Sequence, residues 1–247
     1  MTAFDVYGET DIGRVRRGNE DSVDFFLNRD ATAALAVVAD GVGGEAGGDV
    51  ASRLTTQTVR AHVLATLRNG MGMGSPECLK AAIEAAHAAV RRLRESEPRL
   101  ARMATTVVAA LANETGIAVA HAGDSRAYRW RDGSLAQLTR DDTVAQQMLD
   151  DGTLGDSPGS ESPYQHILTR AVGACAGIEI SARGFQTRPG DLWLLCSDGL
   201  TKCLDDETIA AVLALPSSLA ARAKRLLDRA NAAGGYDNIA VVLISTK

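Results

Sequence analysis

Apolar residues follow two different periods along the chain. Short consecutive or alternating apolar runs, the pattern of strands, occur at 4–10, at about 22–27 and at 34–39 ("ALAVVA"). Two longer stretches then repeat at helical spacing. Residues 48–68 carry Val50, Ala51, Leu54, Val59, Val63, Leu64 and Leu67 on that period. Residues 77–95 carry Leu79, Ile83, Ala86, Val90 and Leu93. Pro76 stands at the start of the second stretch, where a missing N–H is tolerated. The glycine-rich stretch 69–75 reads as the loop between two helices.

A second run of strands is predicted at 105–112, 117–123, 126–131 and 134–139. Asp132-Gly133 between the last two is a hairpin dipeptide. Residues 142–150 read as helical, and 151–166, rich in Gly, Ser, Pro and Asp, as an exposed loop or flap. Strands return near 178–187 and 191–197, two helices fit 205–214 and 217–232, and "IAVVLIS" at 239–245 is a final strand. Strands come in runs and helices in pairs, unlike the strict alternation of a parallel doubly wound sheet. The expected architecture is α+β, antiparallel sheets covered by paired helices. Its last strand would return residue 237 to the early strands.

With 247 residues the chain can form one large domain or two small ones. Its 45% hydrophobic and 23% charged residues are ordinary for a globular protein. A net charge of −5 argues against a nucleic-acid binder. No apolar stretch approaches the ~20 residues of a membrane span, and the first residues lack a secretory pattern; a cytoplasmic location is expected. Cys78, Cys175, Cys196 and Cys203 form no C-x-x-C pair and read as free thiols. Arg91, Arg92 and Arg94 read as a solvated helix face.

Asp-Gly occurs four times, and its ordinary meaning is a turn. Asp40 and Asp198 depart from that, because each follows a continuous apolar run, "ALAVVA" and "LWLLCS", suited to a buried strand. A carboxylate there is costly unless paired or bound to metal. Asp237 precedes the apolar "NIAVVLI", so neighbouring strands would bring the three together. Oxygen-only ligands favour Mg²⁺ or Mn²⁺ over Zn²⁺. Two such ions ~3.5–4 Å apart acidify a shared water and neutralise a phosphoryl group, which is the chemistry of phosphate-ester hydrolysis.

Seven segments resemble, in order, the motifs of the PPM or PP2C-type metal-dependent serine/threonine phosphatases. They are "RRGNEDS" at 16–22, "DGVGG" at 40–44, "TT" at 105–106, "AGDSRAY" at 122–128, "LTRAVG" at 168–173, "CSDGLT" at 196–201 and "DNIAVVL" at 237–243. The resemblance covers almost the whole chain. It implies a single domain over 1–247, a four-layer αββα sandwich, with a flap at about 142–168. It also implies that Asp40 bridges two divalent cations, Mn²⁺ or Mg²⁺, one of them also bound by the Gly41 carbonyl. Asp198 and Asp237 would complete the other ion's protein ligands, and Glu20 and Asp21 would bind directly or hold metal-bound waters. Asp124 with Asp198 would form a third, weaker metal site. Arg16 would grip the substrate phosphate, and Asn238 would support the site. A metal-bridging water or hydroxide would then attack phosphoserine or phosphothreonine directly. The expected substrates are phosphoproteins, among them a Ser/Thr kinase or its targets, handled by a stand-alone monomer without nucleic-acid or membrane partners.

Three positions depart from the family pattern. Val42 stands where many eukaryotic members have a histidine thought to protonate the leaving group. Asp142 replaces a histidine beside the flap, and Ala104 a glycine. None of His62, His87, His121 and His166 stands out as a substitute. Two other readings remain: a non-catalytic regulatory module, which predicts missing metal ligands, and a metal-dependent hydrolase of nucleotides or nucleic acid.

Overall fold

The computed structural model describes residues 2–42, 47–68, 75–153 and 164–247. The expected inter-helix loop at 69–74, Gly43 and Gly44 of "DGVGG", and 154–163 of the expected flap lie outside the described residues. Two antiparallel sheets form the centre. One has the order β1 (Phe4–Asp11), β11 (Ile239–Thr246), β10 (Leu192–Cys196), β7 (Arg126–Arg131), β8 (Ser134–Gln137). The other has the order β2 (Asp21–Leu27), β3 (Ala34–Val42), β5 (Val107–Asn113), β6 (Gly116–Ala122), β9 (Ser181–Phe185), with short β4 (Ala104–Thr105) also on β3.

Strand side chains alternate between faces, and here both faces are buried. On β3, Leu35 and Val37 enter one core while Ala34, Ala36 and Val38 enter another. On β11, Ile239, Val241 and Leu243 face helices while Ala240, Val242 and Ile244 face the opposite sheet. That is why these strands read as unbroken apolar runs. The core between the sheets is lined by small residues and by Trp193, Phe4 and Ile117.

Helices α1 (Gly48–Arg68) and α2 (Pro76–Ser96) cover the β3 sheet, α2 through Leu79, Ile83, Ala86 and Val90. Helices α5 (Asp206–Leu213) and α6 (Leu219–Ala232) cover the β11 sheet through Ile209, Leu213, Leu226 and Leu227. The result is four layers, helix–sheet–sheet–helix, as expected. Ser75, Asp205 and Ser218 cap α2, α5 and α6 by accepting a backbone N–H three residues on. The hairpin at Asp132-Gly133 forms with both residues at positive φ, the backbone that this two-residue turn requires.

Three elements differ from the sequence reading. Strand β3 runs past residue 39 to Val42, because β4 pairs with Gly41 and Val42. A four-residue helix, α4 (Asp198–Thr201), starts at Asp198 directly after β10; one turn is too short to leave a periodicity. Helix α3 (Val144–Asp150) is shorter than predicted, starting after the cap residue Thr143. Arg91 and Arg94 are not a solvated face. Arg91 donates to the Ala176 carbonyl, and Arg94 to the carbonyls of Ala101, Gly173 and Ala174, so they tie α2 to two loops. All four cysteines are free. Among the described residues no helix is long and apolar enough to cross a membrane.

Candidate active site

The three aspartates come from both sheets. Asp40 lies on β3, Asp198 opens α4 after β10, and Asp237 precedes β11 by two residues. Because β10 and β11 are neighbours and the sheets stack, all three line one cleft of about 240 Å³. Arg16, Glu20, Gly41, Asp124 and Asn238 line it too, with Val42, His166, Leu168 and Lys202. Asp21 stands behind Asp40, opposite it in the β2–β3 register.

The backbone around Asp40 is clamped. The Thr106 hydroxyl accepts from Asp40 N–H at 3.1 Å, while Thr106 N–H and the Thr105 hydroxyl both donate to the Asp40 carbonyl, at 2.9 and 2.8 Å. This is the structural task of the "TT" pair, which the sequence reading left without a role. Gly41 N–H donates to the Glu20 carbonyl at 3.0 Å. A side-chain carbon at Gly41 would run into the Gly48 and Glu20 carbonyls, so only glycine lets β3 come this close to α1.

Asn238 fastens the segment that carries Arg16 and Glu20. Its side-chain oxygen accepts from Glu20 N–H, and its amide donates to the carbonyls of Ile12 and Gly18, all at 2.9 Å. Ser197 bridges two strands, its hydroxyl donating to Asp21 Oδ2 at 2.6 Å and accepting from Ala240 N–H at 2.9 Å. Asp142, at the histidine departure, is buried. It accepts from Gly123 N–H at 3.0 Å and from Arg170 at 2.7 Å, which steadies the turn bearing Asp124.

Cations reach the rim. Arg16 meets Asp237 with two nitrogens, each at 2.9 Å. The sequence reading missed Lys202, whose Nζ stands 2.6 Å from Asp198 Oδ2 and 3.0 Å from Asp237 Oδ2. Its signal was a four-residue offset from Asp198, meaningful only once α4 is known. His166 also lines the cleft, from beyond α3.

The field inside is strongly negative. Burial, then the charges of Asp21, Asp198, Asp124 and Asp237, push the Asp40 carboxyl well above the usual range. Burial pushes Asp21 up to about 7, against the hydrogen bond from Ser197. Burial and Asp198 push Asp124 up to about 7, with Lys202 working the other way. Glu20 is raised chiefly by burial. Asp237 lies below its usual value, because Lys202 and Arg16 together outweigh its burial. For Lys202, burial is outweighed by Asp198 and Asp237, which hold the ammonium above its ordinary value.

These residues suit divalent ions. The side-chain donors are carboxylates, hard oxygen ligands, and the buried Asp21 Oδ1 and Asp198 Oδ1 have no hydrogen-bond partner. Among the described residues, no three His, Cys, Asp or Glu side chains are grouped so as to hold a metal ion as they stand. The charges of Lys202 and Arg16 sit at the carboxylate oxygens instead.

The family model for protein phosphatase 2C matches residues 14–235. The chain belongs to the protein phosphatase 2C family. Its family is that of the metal-dependent serine/threonine protein phosphatases, which work with Mn²⁺ or Mg²⁺. The chain is similar to the serine/threonine protein phosphatase PstP of Mycobacterium tuberculosis, 38% identical over 234 residues. That match covers 95% of the chain but 43% of the relative, so the chain spans less than half of its length. It is also 33% identical to the serine/threonine phosphatase stp of Listeria welshimeri, covering 95% of the chain and 93% of that protein. Among solved structures, the catalytic domain of PstP in complex with two manganese ions superposes with a TM-score of 0.80 at 35% identity, covering 100% of this chain and 99% of that one. The phosphatase 2C likeness thus extends over both sheets and both helix layers.

Proposed function

We propose that this chain hydrolyses phosphoserine and phosphothreonine in proteins, as a single domain over 1–247 with a flap at about 142–168. The observation that carries the proposal is the meeting of Asp40, Asp198 and Asp237 in one cleft with Arg16 at its edge. Asp40 and the Gly41 carbonyl, with Asp198 and Asp237, would hold two divalent ions, and Glu20 and Asp21 would assist them. Ions bound there supply an acidified water and positive charge for the phosphoryl oxygens.

The chain's own residues do the rest. Arg16 offers paired donors to the phosphate and stabilises its charge during in-line displacement; to do so it gives up contacts with Asp237. Asn238 and the Thr105–Thr106 pair keep Arg16, Glu20 and Asp40 in register. Val42 has no proton to give, so the leaving seryl or threonyl oxygen takes one from water. The enzyme acts as a cytoplasmic monomer opposite a Ser/Thr kinase.

Phosphate release should be measured with Mn²⁺ on a phosphothreonine peptide, a nucleotide and DNA. Peptide turnover well above the other two supports the proposal. Preferential cleavage of nucleotide or DNA would replace it with a nuclease-type reading.

A further inference from the structure

We propose that the strip formed by residues 12–17 and 234–236, beside the cleft, is a docking surface for the substrate polypeptide. It takes acidic side chains and an apolar one next to the phosphorylated residue. This rests on the phosphatase reading above and adds to it the kind of sequence that surrounds the phosphate.

The two segments form one surface. Arg14 N–H donates to the Gly235 carbonyl at 2.8 Å. Gly13, at positive φ, lies where a side-chain carbon would strike the carbonyls of Asp237 and Gly235, and Gly235 in turn packs on the Arg14 stem. Tyr236 folds its ring over Gly234, where any side chain would block it. The strip runs directly into the site. Arg16 follows Val15 and pairs with Asp237, which follows Tyr236.

Both apolar area and unpaired positive charge collect there. Among the described residues seven large apolar side chains are exposed, and three of them are Ile12 at 40%, Val15 at 63% and Tyr236 at 61%. Arg14 and Arg17 are exposed beside them, and among the described residues neither has an ion-pair partner. The neighbouring carboxylates are engaged elsewhere, Asp11 by Gly13 N–H and Asp237 by Arg16 and Lys202. Arg16 lines the cleft, whereas Arg14 and Arg17 do not. They are therefore placed for the neighbours of the phosphorylated residue rather than for the phosphate under attack. Along the backbone both lie within ~7 Å of Arg16, the span of two extended residues. A peptide whose phosphate reaches Arg16 thus brings its nearest side chains over the strip. Guanidinium groups pair with carboxylates through two donors, and Val15 and Tyr236 offer apolar surface to an aliphatic neighbour.

The test is kcat/KM with Mn²⁺ on peptides with a central phosphothreonine flanked by alanine, glutamate, lysine, or glutamate and leucine. In the wild type, glutamate flanks should raise kcat/KM by about 5–10-fold over alanine flanks, chiefly through KM. Lysine flanks should lower it, and leucine beside glutamate should raise it further. In Arg14→Gln/Arg17→Gln the glutamate-to-alanine ratio should fall to within about twofold, and in Val15→Ser/Tyr236→Ser the leucine gain should vanish. Equal rates on glutamate and alanine flanks in the wild type overturn the proposal. So does a glutamate preference that survives in a folded Arg14→Gln/Arg17→Gln protein. The wild-type ranking alone can refute it should a variant not fold. A wild type that releases phosphate from neither the peptides nor p-nitrophenyl phosphate overturns the phosphatase reading itself, whereas p-nitrophenyl phosphate turnover with uniform peptide rates overturns the docking surface alone.

Discussion

Asp21 and Asp40 face each other across the β2–β3 pair, directly opposite in register. Two buried carboxylates so close resist joint ionisation. Both therefore keep protons in the folded protein that the unfolded chain has already released. A group whose folded value is raised gives stability that is present below its unfolded value and lost as pH rises through its folded value. For Asp21 that window runs from the ordinary 3.8 to about 7, and Asp124 spans the same range. In the presence of a chelator, thermal melts should shift to lower temperature between about pH 5 and about pH 8. Mn²⁺ should flatten or invert the trend, because it binds the deprotonated carboxylates. A chelated protein whose melting temperature rises across the window contradicts this.

Asn238 ties three backbone groups of the 12–20 segment to the start of β11. Replacing it with alanine removes the partner of all three at a partly buried position. Asn238→Ala should cost about 2–4 kcal/mol in urea denaturation. Activity on phosphopeptide should fall with it, since Arg16 and Glu20 lose their anchor. A cost below about 0.5 kcal/mol would mean the three bonds are readily replaced by water.

Much of this fold is legible in the sequence because its strands are buried on both sides and so read as continuous apolar runs. The extension of β3 to Val42 was hidden, since it depends on β4, more than 60 residues away in sequence. Helix α4 and Lys202 were hidden together, as one turn carries no period. Arg91 and Arg94 looked solvated because their carbonyl partners are set by loop packing. In the site, motif order pointed to the carboxylates and took in Thr105, Thr106 and Ser197, but gave these three no role, because they act through hydrogen bonds that only the tertiary structure creates.

Arg16 is half-exposed, so its ion pair with Asp237 should add less than about 1 kcal/mol to stability. Its value lies with substrate. Arg16→Ala should lower kcat/KM on phosphopeptide by about 10–100-fold. Arg16→Lys should recover little of this, because the planar paired donors are lost. Equal activity in Arg16→Lys and wild type would reduce the residue to a point charge.

Gly199 and Gly133 separate two reasons for glycine. Gly133 is at positive φ with open space around it, whereas Gly199 has the Asn238 carbonyl where a side chain would go. Gly133→Ala should cost about 1 kcal/mol. Gly199→Ala should cost about 3 kcal/mol or more, because backbone must move. Denaturation curves of the two variants give the comparison directly, and a mild Gly199→Ala would contradict the tight seating of α4.

The central claim is that the Asp40 cleft is a metal-dependent phosphatase centre. The most direct test is phosphate release from a phosphothreonine peptide by chelated protein, before and after Mn²⁺ is added back, for wild type and Asp40→Asn. The predicted result is negligible release from both before addition, and recovery in the wild type alone. Full turnover by chelated wild type, or Mn²⁺ recovery in Asp40→Asn equal to wild type, would contradict it.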